Sequence, residues 1–327
     1  MTILSDETDR SCAPIGLFSC NLSKKASVGS AMLAPRLSSP LSIANEPLSI
    51  GEAFLTLEAL FQHHQLDDPR ESARILVCAV AGCNSAVLMT TPTKAIPEKS
   101  WKLLCDFARR RLEREPISRI LGCREFWGLD LKISRAVLDP RADTETLVET
   151  CVNWIRERGL KNPNILDVGT GSGAVLCAVL SEIPDAKGLG IDISAEACAV
   201  AQNNLYDLGL SERASISCID MASFREGEFD VILSNPPYIR SSEIKHLDPE
   251  VRSYDPHLAL DGGPDGLRFY RILVSKYRQW KNPYSLCAVE IGQDQGSAVK
   301  EILREVGVRA NVKVDLAGRD RIVCWEC

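Results

Sequence analysis

The apolar positions of this chain follow two different rhythms. From Leu48 to about Leu121 they recur at spacings of three and four, the repeat of one helix face. Ile50, Phe54, Leu57, Leu60 and Phe61 mark a first helix. Ala73, Leu76, Val77 and Val80 mark a second, opened by Pro69 and ended by Gly82. Trp101, Leu104, Phe107, Ala108 and Leu112 mark a third, from Pro97 to Glu115. Together they predict a small helical bundle. Between Phe126 and Val137 the period shortens to alternation (Trp127, Leu129, Leu131, Ile133), with a turn expected at Gly128-Leu129-Asp130. That pattern predicts a β-hairpin. A helix over Glu145–Arg158 follows, with Asp143 or Thr144 as its candidate cap.

Beyond Gly159 strands and helices alternate. Strands are expected at Asn164–Val168, Gly188–Ile191, Ser215–Ile219, Phe229–Leu233 and Ser285–Ile291. Helices are expected at Ser172–Glu182, Ala195–Leu208, Gly266–Trp280 and Gln295–Val306. Val308–Leu316 and Arg321–Trp325 read as a closing antiparallel pair. Such alternation predicts an α/β fold, a mostly parallel sheet with helices on both faces. Residues 1–45 are rich in Ser, Ala and Pro without a period, and a disordered N-terminal tail is expected there. The expected domains are therefore a helical domain at 46–122, a β-hairpin linker at 123–140 and an α/β domain at 141–327.

Composition narrows the field. A chain of 327 residues is long for one core and suggests more than one domain. The formal net charge is -6, which argues against a protein that lives on nucleic-acid phosphates. No run of about 18 apolar residues is present, so no membrane span is expected. Asp6, Glu7 and Asp9 stand where a secretory leader carries basic residues. The 13 cysteines are scattered, and Cys324 and Cys327 form the only close Cys-x-x-Cys pair. With four histidines in the chain, neither a zinc site nor a disulfide framework is expected. A reducing cytoplasm fits best, and a monomer is expected. His63 and His64 fall within a helix and read as surface or core residues.

The chemistry sits at strand ends. Ile165-Leu166-Asp167-Val168 runs into Gly169-Thr170-Gly171-Ser172-Gly173 and then a helix. Glycines permit a tight turn and close backbone approach by a ligand. The helix N-terminus adds free N–H groups and positive partial charge. The spacing is neither the dinucleotide fingerprint nor a phosphate loop. The next strand ends in Asp192, about twenty residues on, where an acid can accept both ribose hydroxyls. The third ends at Asp220-Met221, with an acceptor for an adenine amino group and an apolar side chain for the ring face. Asp167 is either structural or a partner for an amino group.

The fourth strand ends in Asn235-Pro236-Pro237-Tyr238. Two prolines lock an extended backbone and remove two N–H donors. The Pro236 carbonyl and the Asn235 side-chain oxygen are then a fixed pair of acceptors, able to grip both hydrogens of an NH2 group, with Tyr238 as an aromatic wall. An amide or ring amine is a poor nucleophile because its lone pair is delocalised. Acceptors aimed at its hydrogens stabilise the positive charge that develops when it attacks a sulfonium methyl group. These residues predict an S-adenosylmethionine-dependent methyltransferase acting on a planar nitrogen, with S-adenosylhomocysteine as product.

Asp167–Gly173 together with Asn235–Tyr238 resembles class I, seven-stranded, Rossmann-like methyltransferases. Further segments are similar to the HemK/PrmC family: Arg114 to Gly122, Glu125-Phe126-Trp127, Pro140-Arg141-Ala142-Asp143-Thr144-Glu145 and Asp261 to Leu267. The resemblance spans roughly residues 48–325. It implies a class I methyltransferase domain preceded by a small helical-bundle domain. It implies N5-methylation of the glutamine in the Gly-Gly-Gln motif of class 1 peptide chain release factors. Gly169–Gly173, Asp192, Asp220 and Met221 would then hold the cofactor, with Asn235 contacting it as well. Asn235, Pro236, Pro237 and Tyr238 would hold the glutamine amide, and the helical domain would help dock the release factor. Ala142 departs from the family, which usually has a second proline there, and this loosens the linker slightly. Glu145 and Glu290 are candidates for ordering the cofactor pocket.

The alternatives are glutamine methylation of a ribosomal protein, methylation of DNA or RNA amino groups, and a non-catalytic module that retains only the fold. The nucleic-acid reading lacks a basic recognition region. The stretch Lys102 to Arg124 carries seven basic residues against three acidic ones. It reads either as a solvated helix face or as a contact surface for a protein partner.

Overall fold

The computed structural model describes residues 47–225 and 227–326, so the tail expected at 1–45 lies outside the described residues. By contacts the chain divides into two compact units, one ending at Glu113 and the other beginning at Arg114. At that point Arg114 has φ 68°, and Pro116 follows.

In the first unit, α1 (Ile50–His63) starts on a capping box in which Ser49 and Glu52 bond each other's backbone N–H. Its apolar face buries Ile50, Ala53, Leu57, Leu60 and Phe61. α2 (Pro69–Ala81) has proline in its first turn and ends at Gly82 in the left-handed region. α3 (Ser85–Thr90) is capped by Asn84. α4 (Glu98–Leu112) buries Trp101, Leu104 and Ala108. α1 packs on α2, and α2 on α4. α3 was not expected from the sequence, since six residues are too few to display a helical period.

The second unit opens with α5 (Ile117–Leu121), also too short to show a period, and the hairpin β1 (Cys123–Phe126) and β2 (Leu129–Lys132). The turn falls at Trp127-Gly128, one residue earlier than expected. Both residues are left-handed, at φ 54° and 72°, as a two-residue hairpin loop requires. Tertiary bonds hold the tryptophan there. Its N–H donates to Glu145 Oε1 at 3.2 Å and its indole to Glu182 Oε1 at 3.0 Å.

The rest is α6 (Glu145–Arg158), β3 (Asn164–Val168), α7 (Ala174–Glu182), β4 (Lys187–Asp192), α8 (Ala195–Asp207), β5 (Ala214–Cys218), β6 (Phe229–Ser234), α9 (Pro249–Tyr254), α10 (Arg268–Lys276), β7 (Lys281–Glu290), α11 (Gly296–Glu305), β8 (Asn311–Val314) and β9 (Asp320–Glu326). One seven-stranded sheet runs in the order β5-β4-β3-β6-β7-β9-β8. β5 through β7 are parallel, and β9 returns antiparallel to both β7 and β8.

Strand residues alternate between two cores. Val231, Leu233, Leu286, Ala288, Ile322 and Cys324 join the one with α6 and α7. Ile232, Cys287, Val289, Val323 and Trp325 join the other with α10 and α11. Each large buried side chain contributes roughly 1.5–3 kcal/mol, which fixes the register because a one-residue slip would exchange the two faces. The chain winds outward from β3 through β4 to β5, then crosses back to β6 on the other side of β3. Ligands of open α/β sheets sit at such a reversal, beyond the carboxyl ends of the strands. No helix of the described residues is long and apolar enough to cross a membrane.

Candidate active site

The carboxyl ends of β3 and β6 lie side by side, with Val168 opposite Ser234. The Ser234 hydroxyl donates to the Val168 carbonyl at 2.7 Å, fastening one strand end to the other. Gly169–Gly173 leaves β3 through three left-handed glycines and enters α7. Gly169 and Thr170 both donate N–H to the Ile191 carbonyl at the end of β4, at 2.8 and 3.0 Å.

Asp192 ties the next strand end to this loop. Its carboxylate accepts from Gly171 N–H and from Ser194 N–H, each at 2.9 Å. Each oxygen therefore keeps a further lone pair for a ligand hydroxyl. Asp220 lies exposed just beyond β5 and accepts from Ala222 N–H at 2.9 Å. Met221 packs partly against the α10–α11 core.

Asp167 is 2% exposed. Thr170 donates its hydroxyl to Asp167 Oδ2 at 2.6 Å. Burial pushes the Asp167 carboxyl up to about 6, against the lowering effect of that bond. A cation brought next to it would favour its charged form.

A small cleft, open to solvent, is lined by Arg141, Thr144, Asp167, Gly169 through Ser172 and Asn235, among others. The structure thus brings the glycine loop and Asn235 to one cavity. Asp192 reaches it through Gly171, whereas Asp220 and Met221 lie farther along the sheet edge and do not line it. A zwitterionic, sugar-bearing ligand fits this set of groups: a buried acid for an amino group, a strand-end acid for hydroxyls and a glycine loop that permits close approach beside a helix start.

The tetrapeptide is held from both sides. Asn235 donates Nδ2–H to Thr144 Oγ1 at 3.1 Å. Among the described residues no donor is bonded to its Oδ1 or to the Pro236 carbonyl. Thr144, one of the two candidate caps with Asp143, stands at the start of α6 but makes no side-chain cap. The Tyr238 hydroxyl donates to Glu290 Oε1 at 3.4 Å, and burial raises the Tyr238 phenol to about 12. Gln295 Nε2–H donates to the Tyr238 carbonyl at 2.9 Å. Behind the turn lies Gly262, where an added Cβ would stand 2.8 Å from both the Pro237 carbonyl oxygen and Tyr238 Cα. Only glycine allows so close an approach of two backbones.

Residues 239–261 follow the tetrapeptide and are anchored by Asp255. Its buried carboxylate accepts from Arg119 at 2.7 Å and from Arg141, on the cleft wall, at 2.9 Å. Thr144, Gln295 and Asp255 were not anticipated as site residues. Their partners are far off in sequence, and no local spacing announces them.

On α4, Arg109 pairs with Asp106 and with Glu113, both at 2.8 Å. That favours a solvated face for this residue. Among the described residues no cluster of three His, Cys, Asp or Glu is placed to hold a metal ion.

Comparison with known proteins gives consistent results. Residues 52–122 match the family model for the PrmC N-terminal domain, and residues 135–248 match that for the methyltransferase small domain. The chain is 41% identical to the release factor glutamine methyltransferase of Bradyrhizobium diazoefficiens, over 89% of this chain and 98% of that protein. It is 45% identical to the protein of the same name from Rhodospirillum rubrum, over 78% of each. The catalytic domain of hMettl16, solved with an RNA hairpin, aligns with a TM-score of 0.50 at 17% identity, covering 64% of this chain and 80% of that one. At that identity the likeness concerns the fold alone.

Proposed function

The chain belongs to the release factor glutamine methyltransferase family, and from that premise we propose its substrate, its cofactor and the residues that serve them. The substrate is the glutamine of the Gly-Gly-Gln motif in class 1 peptide chain release factors, methylated at its side-chain nitrogen, N5. S-adenosylmethionine supplies the electrophilic methyl group when bound. Gly169–Gly173 lets it approach the backbone closely beside the start of α7, Asp167 faces its amino group and Asp192 accepts its ribose hydroxyls. Asp220 and Met221 serve the adenine. The helical residues 46–122 help dock the release factor, in the cytoplasm and as a monomer.

Asn235 Oδ1 and the Pro236 carbonyl accept the two hydrogens of the glutamine amide, and Tyr238 walls the nitrogen in. As the nitrogen attacks, its hydrogens become more acidic and both bonds strengthen, so the stabilisation is largest at the transition state. Proton loss follows methylation, so no base is needed beforehand. The observation that carries this reading is the bond from Asn235 Nδ2 to Thr144, which turns Oδ1 away as an acceptor beside the glycine loop.

The test is tritiated cofactor offered with a release factor, a ribosomal protein and DNA as competing acceptors. Label is expected in the release factor, and label in DNA alone would sink the reading. Asn235→Ala should lose turnover by about 100-fold or more, the cost of one preorganised contact to developing charge. Its affinity for S-adenosylhomocysteine should stay close to wild type. Asp192→Ala should do the reverse, weakening that affinity first.

A further inference from the structure

Two hydrogen-bonded pairs of side chains meet at the tetrapeptide. Asn235 gives its Nδ2–H to Thr144 Oγ1 at 3.1 Å, and Tyr238 gives its hydroxyl proton to Glu290 Oε1 at 3.4 Å. Glu290 ends β7 and is 1% exposed. Its other oxygen, Oε2, is sealed from solvent without a hydrogen-bond partner. The Thr144 hydroxyl lies beside this carboxyl and favours its ionised form. Since Thr144 Oγ1 already accepts from Asn235, its own proton must turn elsewhere, and the neighbouring acceptor is Glu290.

We propose that Glu290 is a positioning residue for methyl transfer: its carboxylate draws the Thr144 proton, keeps a Thr144 lone pair toward Asn235, and so fixes the Asn235 amide with Oδ1 toward the substrate. This rests on the reading of Asn235 as the amide grip. A carboxamide or a hydroxyl can face either way, whereas a carboxylate only accepts. The direction of the whole chain of bonds is therefore set at its buried end. A glutamine at 290 can turn its NH2 group to Thr144. The Thr144 proton then points at Asn235, and Asn235 presents NH2 to a substrate NH2, donor against donor. Glu290 also holds the Tyr238 hydroxyl, so one group orients both the grip and its aromatic wall.

The test uses the full chain with Glu290→Gln, Thr144→Val, Thr144→Ser and the double variant Glu290→Gln/Thr144→Val. Turnover on a release factor, affinity for S-adenosylhomocysteine by calorimetry, and thermal melting are measured for each. Glu290→Gln and Thr144→Val should each lower kcat by about 10- to 100-fold, less than loss of a direct contact. Affinity for S-adenosylhomocysteine should stay within about twofold, below the factor of five that marks the smallest usual coupling. Thr144→Ser, which keeps the hydroxyl, should restore most of the turnover. The double variant should be no worse than the poorer single one, since both break one chain of bonds.

Full kcat in Glu290→Gln, or losses that multiply in the double variant, would overturn the proposal. So would a fall in melting temperature and cofactor affinity that parallels kcat in Glu290→Gln and Thr144→Val alike, because that marks a merely structural role. If Asn235→Ala itself keeps its turnover, the fault lies with the reading of the grip. If Asn235→Ala is inactive while Glu290→Gln is not, only the present proposal fails.

Discussion

Asp167 and Glu290 are buried carboxyls that stand at the ends of two strands on either side of β6. Burial raises both, Asp167 to about 6 and Glu290 to about 7. Thr144, Arg321 and Tyr238 oppose the shift at Glu290, while Asp143 adds to it, and the Tyr270 phenol lies nearby. A protonated Glu290 has an O–H of its own to offer Thr144 and would act as glutamine does. Turnover of the wild-type enzyme should therefore fall as the pH drops through about 7. Glu290→Gln should lack this limb, which a pH–kcat profile of the two proteins would reveal. Stability has the opposite sign. Between its ordinary value of 4.5 and about 7, the folded Glu290 keeps a proton that the unfolded chain has lost. Rising pH through that window therefore weakens the fold. Glu290→Gln should melt above wild type at pH 8 and by a smaller margin at pH 6, as calorimetry can measure.

At the scale of elements, the tetrapeptide is an end of β6 backed by another backbone. Gly262→Ala places a methyl group 2.8 Å from Tyr238 Cα with no flexible side chain to yield. It should cost about 1–3 kcal/mol as an overpacked contact. It should also lower kcat more than it raises KM for either substrate, because the acceptors shift as a unit. A denaturant titration alongside steady-state kinetics tests both.

Much of this layer was legible beforehand. The long helices and the parallel strands announce themselves by period, and the glycine loop, Asp192 and Asn235–Tyr238 fall at strand ends because alternation locates those ends. What was hidden has a physical reason. α3, α5 and α9 are five or six residues long and display no repeat. Thr144 reads as a helix cap from its neighbours, yet its hydroxyl is engaged by Asn235, 91 residues away. Trp127 occupies a left-handed turn position that few aromatic residues take, which pulled the expected turn one residue late.

On the scale of the whole molecule, the second unit carries both hydrophobic cores of the sheet and every strand-end residue of the site. A chain beginning at Arg114 should therefore bind S-adenosylhomocysteine with the affinity of the full protein, yet methylate a release factor poorly. Calorimetry and a label-transfer assay on the shortened chain would check the two halves of that statement. Reversing the charge of Arg109 and Arg110 together distinguishes a docking surface from a solvated face. A raised KM for release factor alone favours docking, and an unchanged value favours the solvated face that the Arg109 ion pairs suggest.

Asp255 sets one more property. Its carboxylate is 1% exposed as a side chain and grips Arg119, buried to the same degree, together with Arg141. Dissolved ions screen a buried pair far less than an exposed one. The Arg119 half of this clamp therefore holds as ionic strength varies, whereas Arg141, on the cleft wall and 44% exposed, is the half that added salt loosens.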